Sequence, residues 1–533
     1  MKLLHEHWGF IFVFAFFSAM LFFFPLKLLS PESYFFSAAI EGYYNLSSTF
    51  QTFQNDVLLP DISRAHPNHP IPHYIAGIVF DFTKIPAMDT LRYLNILGAL
   101  GTLFAFYLCL LQLFQRKSVI IFGLLSLAFS FSFWQEALVA EVHLISLAFI
   151  VGAFYFFIRC YKDNERKYYK NFLIATILFA AAVSYHLFAS YVSIAIIIAI
   201  LSKADWRRHW RLYLLSAFIV LFFCLVFYVG FLVWVLKIHS IHEYWGTFFI
   251  YKYLQDKYYS GLTWFVVFGK SFLHSIVYGY NQFGVVSQII LVIFLVFGYF
   301  SVIKSRWDRP IKVLVFTWPL VYLLMGVILD TRADGLSVWL FCLPSTIVAL
   351  CSTFNYLAKN AGAQIYIVVF IAAISGVNFL STVWPNSQLN RSDFIFIDAV
   401  PELMQDSAKN SSEKYKKNIL TFVGNQSLTF PELREYVKKN GSENLQIVNC
   451  CNRIEEKINK IKEWLSQHSN GYIIDDTFTE WIPKILHDKK ISYNLIFGKS
   501  SLVPEHWIPS SIYFPTRFGG YRKQLRVWKF ISQ

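Results

Sequence analysis

Long unbroken runs of apolar residues, separated by short polar connectors, dominate the chain up to position 384. The first is "WGFIFVFAFFSAMLFFFPLKLL", Trp8 to Leu29. A window of roughly 18 apolar residues is enough to cross a bilayer as a helix. About eleven such segments are expected by length and apolarity. They cover 8–29, 91–114, 118–134, 142–159, 171–185, 187–202, 212–236, 284–303, 312–330, 335–356 and 365–384. The fifth and sixth are short for a full crossing. A large soluble core would instead need charges spread along amphipathic helices, and here they gather in the connectors.

After Trp384 the pattern changes. "NILTFVGN", "NLQIVN", "GYIIDD" and "YNLIFG" have the apolar, β-branched and aromatic character of short strands. "SLTFPELREYVKKN", "RIEEKINKIKEWLSQH" and "FTEWIPKILHD" between them have helical character. Strands alternating with helices predict a small α/β domain. The expected fold is therefore a polytopic α-helical membrane protein over 1–384 with a soluble α/β domain over 385–533. No glycine-rich phosphate loop and no internal repeat is evident. The missing repeat weighs against a secondary transporter, which often shows paired halves.

Charge refines this picture. Only 15% of residues are charged, against about 25% in an ordinary soluble protein. The net charge of +14 suggests nucleic acid until the basic residues are located. "QRK" (Gln115 to Lys117), "RCYKDNERKYYK" (Arg159 to Lys170), "KADWRRHWR" (Lys203 to Arg211) and "KSRWDRPIK" (Lys304 to Lys312) alternate with connectors poor in Lys and Arg. The excess of positive charge on cytoplasmic loops places all four inside. One path satisfies them: N-terminus in the cytoplasm, C-terminal domain outside. The expected location is the inner membrane of a bacterium, with no nucleic-acid partner. Two external loops are then large, 30–90 and 237–281. "HYIAGIVFDF" (His73 to Phe82) and "GLTWFVVFGKSFLHSIVYGY" (Gly261 to Tyr280) within them predict helices in the membrane interface. The first segment is too long for a signal-peptide core and lacks a small-residue cleavage site, so it is expected to be retained. Seven cysteines, none in a CxxC pair, give no zinc framework.

Charged groups at an external membrane boundary are the informative ones, because holding them there is costly. Glu32 follows the first span directly, and Glu41 comes about two helical turns later. "RAHPNHPIPHY" (Arg64 to Tyr74) holds three histidines, but its prolines oppose a regular helix until after Pro72 and no Cys or carboxylate completes a metal set. It predicts a rigid lead-in to a helix starting at about Pro72, with His66 a hydrogen-bond donor to an anionic ligand. No cofactor or metal is expected. Arg92 and Asn95 open the second span, one turn apart on one face. Trp134, Glu136, Glu141 and His143 are expected in a short connector between the third and fourth spans. Tyr185 and His186 mark the next external turn, and Asp330, Arg332 and Asp334 another. Carboxylates, imidazoles and guanidinium groups at several helix mouths on one side suit an anionic lipid headgroup and a proton acceptor.

The ordered run "AHPNHPIPHYIAG…LRYLNILGALGTLFAFYL…FSFWQEALVAEVHLISL" resembles the GT-C glycosyltransferases, in particular their protein O-mannosyltransferase-like branch. The matching positions are Glu32, His66 and Pro67 with Pro70 and Tyr74, Arg92 and Asn95, and Trp134 with Ala140, Glu141, Val142 and His143. "WLFCLPSTIVAL" (Trp339 to Leu350) is similar to a later helix of related enzymes. The chain departs from the pattern in "PES" where the family has Asp, in a missing glycine, and in His143 for a usual Tyr.

The resemblance implies an inverting transferase that takes a sugar from a polyprenyl-phosphate donor and delivers it to a hydroxyl, as on protein Ser or Thr. It implies Glu32 as the base, with Glu41 its rival. Candidate phosphate contacts are Arg92, Arg332, Lys252 and Lys270. His66, Asn95, Trp134, Glu141, His143 and His186 are expected to position substrates. The implied partners are the bilayer, the lipid-linked donor, and a protein or glycan acceptor. Three other readings remain open: a lipid or cell-surface polysaccharide acceptor on the same fold, a transporter or flippase of lipid-linked sugars, and a membrane scaffold. A transporter would carry polar residues at the bilayer midplane, whereas the charges here sit mostly at helix ends.

Overall fold

The computed structural model describes residues 2–23, 70–138, 142–203, 206–230, 269, 271–277, 282–328, 339–357, 363–380, 418–423, 444–449, 454–468, 470–475, 487, 492–503 and 521–531. Each of the eleven expected apolar segments carries a helix. In chain order these are α1 (Lys2–Phe23), α3 (Ala87–Leu113), α4 (Lys117–Ala128) continued by α5 (Phe131–Leu138), α6 (Leu144–Lys162) and α7 (Glu165–Tyr185). Then follow α8 (Val192–Leu201), α9 (Trp210–Cys224), α10 (Gln282–Lys304), α11 (Arg309–Ile328), α12 (Leu343–Leu357) and α13 (Ala363–Asn378). One further helix, α2 (Pro70–Thr83), precedes α3. Among the described residues, four helical stretches are individually long and apolar enough to cross a bilayer, and the bent pair α4–α5 makes a fifth.

Burial separates lipid from core. On α9, Leu214, Leu215, Phe218, Leu221 and Phe222 are exposed, and on α10 so are Val286, Ile289, Ile293, Val296 and Phe297. Only hydrocarbon accepts such rows of apolar side chains over whole helices. This is an integral membrane protein. The interior gathers around α3, α4, α6 and α12, where Phe106, Phe122, Leu147, Val151, Ile347 and Leu350 are sealed. Backbones approach closely at two glycines. A Cβ on Gly98 of α3 would lie 2.4 Å from Ile145 N and 2.5 Å from Leu144 C. A Cβ on Gly298 of α10 would lie 2.3 Å from Ala349 O. Small residues let membrane helices touch in this way.

The third expected span differs from its sequence reading. Its helix stops at Ala128, bends by 55°, and resumes at Phe131. There is no Pro or Gly at the break. Instead the Ser130 hydroxyl donates to Leu127 O at 2.9 Å, an alternative to the helical ladder. Asn378 Nδ2, from α13, donates to the freed Phe129 O at 2.7 Å and to Ile276 O at 2.9 Å. Ser132 Oγ donates to Ser275 O at 3.0 Å. The joint is thus stitched to α13 and to the stretch 271–277.

Two helix starts also differ. α2 begins at Pro70, not Pro72, because prolines are tolerated where the first-turn N–H groups lack intrahelical partners. α3 begins at Ala87, four residues ahead of the expected 91, bringing Asp89 into its first turn.

The described C-terminal residues form a five-stranded sheet, β1 (Asn418–Val423), β2 (Asn444–Asn449), β3 (Asn470–Asp475), β4 (Ser492–Val503) and β5 (Tyr521–Ile531), in the order β2-β1-β3-β5-β4. β1 pairs in parallel with β2 and β3, while β5 runs antiparallel to β3 and β4. α14 (Ile454–Gln467) links β2 to β3 and buries Ile461, Trp464 and Leu465. Four strands and this helix were legible. β5 was not, and β4 runs longer than "YNLIFG". The helices expected at "SLTFPELREYVKKN" and "FTEWIPKILHD", like the boundary at 385, lie outside the described residues, His487 apart.

Candidate active site

The mouth of α3, the whole of α5, the start of α6 and the end of α7 meet in one place. α5 is the key element. All eight of its residues, Trp134, Gln135 and Glu136 among them, are buried, so Trp134 and Glu136 are not in a solvated connector. Sequence reasoning misplaced them because the polar pair Gln135 and Glu136 interrupts the apolar run and reads as the start of a connector, while the true break ahead of it carries no helix-breaking residue.

The last carbonyls of a helix lack intrahelical partners. Here α3 supplies them. Asn95 Nδ2 donates to Glu136 O at 3.2 Å, and Arg92 Nε donates to Leu138 O at 3.2 Å. A cation at a helix C-terminus also complements the helix dipole. The one-face spacing of Arg92 and Asn95 is real, and it serves the backbone of α5. α2 covers this corner, with Ala76 packed on Ala87, Leu91 and Val142 and with His73 buried.

Next to it lies a buried acid and imidazole pair. His143, at the N-cap of α6, sits with Nδ1 3.0 Å from Glu136 Oε2. Glu136 is 1% exposed and His143 7%. An ionised carboxylate at this depth needs such a partner. His186, 2% exposed, lies with its ring centroid 4.6 Å from that of His143. His186 follows α7 directly and caps the short 3-10 helix Leu187–Tyr191, with Nδ1 accepting from Phe188 N at 3.2 Å. A neutral His186 therefore carries its proton on Nε2. Phe341 closes the back, 6.1 Å from the His143 ring and 5.7 Å from the His186 ring. Tyr322 stacks on Phe341 and donates its hydroxyl to Phe188 O at 2.9 Å. Trp134 packs against Phe129 and Phe379, and its Nε1 has no hydrogen-bond partner among the described residues.

Of the expected site residues, the structure gathers Arg92, Asn95, Trp134, His143 and His186 here. It adds Glu136, whose seven-residue separation from His143 across a helix end left no readable spacing. Glu32, Glu41, His66, Glu141, Lys252, Lys270 and Arg332 lie outside the described residues.

No family model and no curated protein sequence matches this chain. The likeness is structural. ArnT from Cupriavidus metallidurans in the apo state superposes with a TM-score of 0.60 at 10% identity, over 98% of each chain. The same protein bound to undecaprenyl phosphate gives 0.57 at 10% identity, over 97% of each chain. The fold is shared with ArnT. The likeness spans nearly the whole of both chains, and at 10% identity it concerns architecture, not side chains.

Proposed function

We propose that this protein is a GT-C glycosyltransferase that moves a sugar from a polyprenyl-phosphate donor to a hydroxyl acceptor on the extracytoplasmic face. The observation that carries this is the shared fold with ArnT, one structure of which holds undecaprenyl phosphate. The position of the polar cluster supports it. His143 begins α6, and Arg159 and Lys162 end it. Nineteen residues at 1.5 Å each separate the two by about 28 Å, the thickness of a bilayer core. With the basic end in the cytoplasm, the acid and imidazole groups lie at the outer rim.

In this reading Glu32 is the general base, with Glu41 the alternative. The acceptor oxygen attacks the anomeric carbon, its proton passes to the carboxylate, and the bond to the phosphate oxygen breaks. Attack from the opposite face inverts the configuration. A base must reach the proton at about 2.6–3.2 Å. The polyprenyl phosphate leaves against preorganised cationic groups, which act most strongly away from water. Arg92, Arg332, Lys252 and Lys270 are the proposed contacts, and His66, Asn95, Trp134, Glu141, His143 and His186 the positioning groups. The acceptor is a protein Ser or Thr hydroxyl, with a lipid or envelope polysaccharide the alternative that the same chemistry serves. The α/β domain over 385–533 stands on the acceptor side.

Glu32→Gln and Glu41→Gln test the base. The expected result is loss of sugar transfer by at least about a hundredfold in one of the two, the scale of general-base catalysis, with normal membrane expression. Full transfer by both variants excludes a base in this loop.

A further inference from the structure

Glu136 serves no step above, yet it is the most deeply buried carboxylate among the described residues and lies beside the proposed site. An apolar residue of similar size costs less in such a place. A fold-stabilising role alone gives no reason for an acid. Its geometry gives one. Glu136 Oε2 faces His143 Nδ1 at 3.0 Å, and with the carboxylate ionised, an acceptor only, that nitrogen is the donor. The lone pair of the neutral ring is then on Nε2, and the bond to the carboxylate fixes both the tautomer and the ring plane. Nε2 has no hydrogen bond among the described residues, and it is not among the buried side-chain atoms left without a partner. The ring is wedged between His186 and Phe341 and cannot turn freely. Asn95 in turn holds the Glu136 carbonyl. The result is a fixed acceptor aimed from the rim of the membrane interior.

A fixed acceptor recognises a donor, and the donors that a sugar-transfer reaction offers are hydroxyl groups. Resting on the glycosyltransferase reading, we propose that Glu136 and His143 form a positioning pair for a substrate hydroxyl. His143 Nε2 accepts a hydrogen bond from that hydroxyl, and Glu136 orients the imidazole. No proton is transferred and no bond is made or broken by the pair. The hydroxyl belongs either to the transferred sugar or to the acceptor, and both have the same chemistry.

Two isosteric substitutions separate this role from a structural one. His143→Asn places an amide N–H near the Nδ1 position and keeps the bond to Glu136, but it has nothing at Nε2. His143→Gln reaches the Nε2 position with its amide carbonyl and gives up the short bond to Glu136. A positioning role predicts that H143Q transfers sugar better than H143N although H143N is the more stable in detergent. It also predicts that H143N raises one KM about tenfold, the cost of one lost hydrogen bond, with kcat little changed. Titration of donor and acceptor separately shows whose hydroxyl is held. Glu136→Ala is expected to raise the same KM as H143N. A structural role predicts that activity follows stability, with H143N ahead of H143Q, and that order overturns the inference. So does a wild-type KM for both substrates in H143N. Transfer by the wild type with either of these results sinks the pair alone, whereas a wild type that transfers no sugar sinks the glycosyltransferase reading as well.

Discussion

At the scale of residues, the informative finding is how much side-chain chemistry goes into fixing α5. Asn95 and Arg92 satisfy the carbonyls of Glu136 and Leu138, and those two residues frame the end of the helix that carries the buried acid. Leaving a buried carbonyl without its donor costs about 1–3 kcal/mol. Asn95→Ala is therefore expected to destabilise the protein by that amount, measured as a lower unfolding temperature in detergent, and to lower transfer by freeing Glu136. Unchanged stability would mean that another donor takes over the Glu136 carbonyl. The sequence showed that Arg92, Asn95, His143 and His186 belong near helix mouths, because polar groups are conspicuous in an apolar run. It did not show which group each one touches. The Glu136–His143 contact depends on a helix ending and reversing between them.

At the scale of elements, hydrophobic windows located the long helices well, since bilayer thickness sets their length. They failed where a helix is interrupted by partners from far along the chain. The bend between α4 and α5 is held by Asn378, about 250 positions away in sequence, and no local signal at Phe129 announces it. Asn378→Ala strands both the Phe129 and Ile276 carbonyls. The expected outcome is a loss of roughly 1–3 kcal/mol and a proportionately larger drop in transfer, because α5 carries the site; equal stability of variant and wild type would refute the joint. Gly98 tests the neighbouring contact. A methyl group there meets the backbone of Leu144 and Ile145, so Gly98→Ala is expected to cost about 1–3 kcal/mol through overpacking and to displace His143, read as reduced thermal stability. In the C-terminal region, β5 escaped notice for a different reason. "YRKQLRVWKFI" mixes basic residues into its first half, which reads as a solvated segment until β3 and β4 are seen on either side of it.

At the scale of the whole molecule, the helices place a polar cluster and a basic, aromatic cluster at opposite ends of α6. At the second end Lys203 lies over the rings of Tyr161 and Tyr168, and Arg208 pairs with Glu165 at 2.6 Å. The proposed orientation puts that end in the cytoplasm and the sheet domain outside. In a Cys224→Ser background Cys450 and Cys451 test it, because Cys109, Cys160, Cys342 and Cys351 are buried and Cys224 alone of the described cysteines is partly exposed. A membrane-impermeant maleimide added to sealed right-side-out vesicles should label the protein, and the labelling should vanish in the C450S/C451S variant. Labelling only after the vesicles are opened would reverse the topology and remove the site from the outer face.

The central claim is that a sugar leaves a lipid phosphate on this protein. Purified wild-type protein in lipid vesicles, offered a panel of polyprenyl-phosphate sugars labelled in the sugar together with membrane extracts as acceptor, tests it most directly. Label from one donor should appear on an acceptor hydroxyl with inverted anomeric configuration, as free polyprenyl phosphate accumulates in equal amount. Label that stays on the lipid for every donor, or that crosses the bilayer still attached to its phosphate, would contradict it.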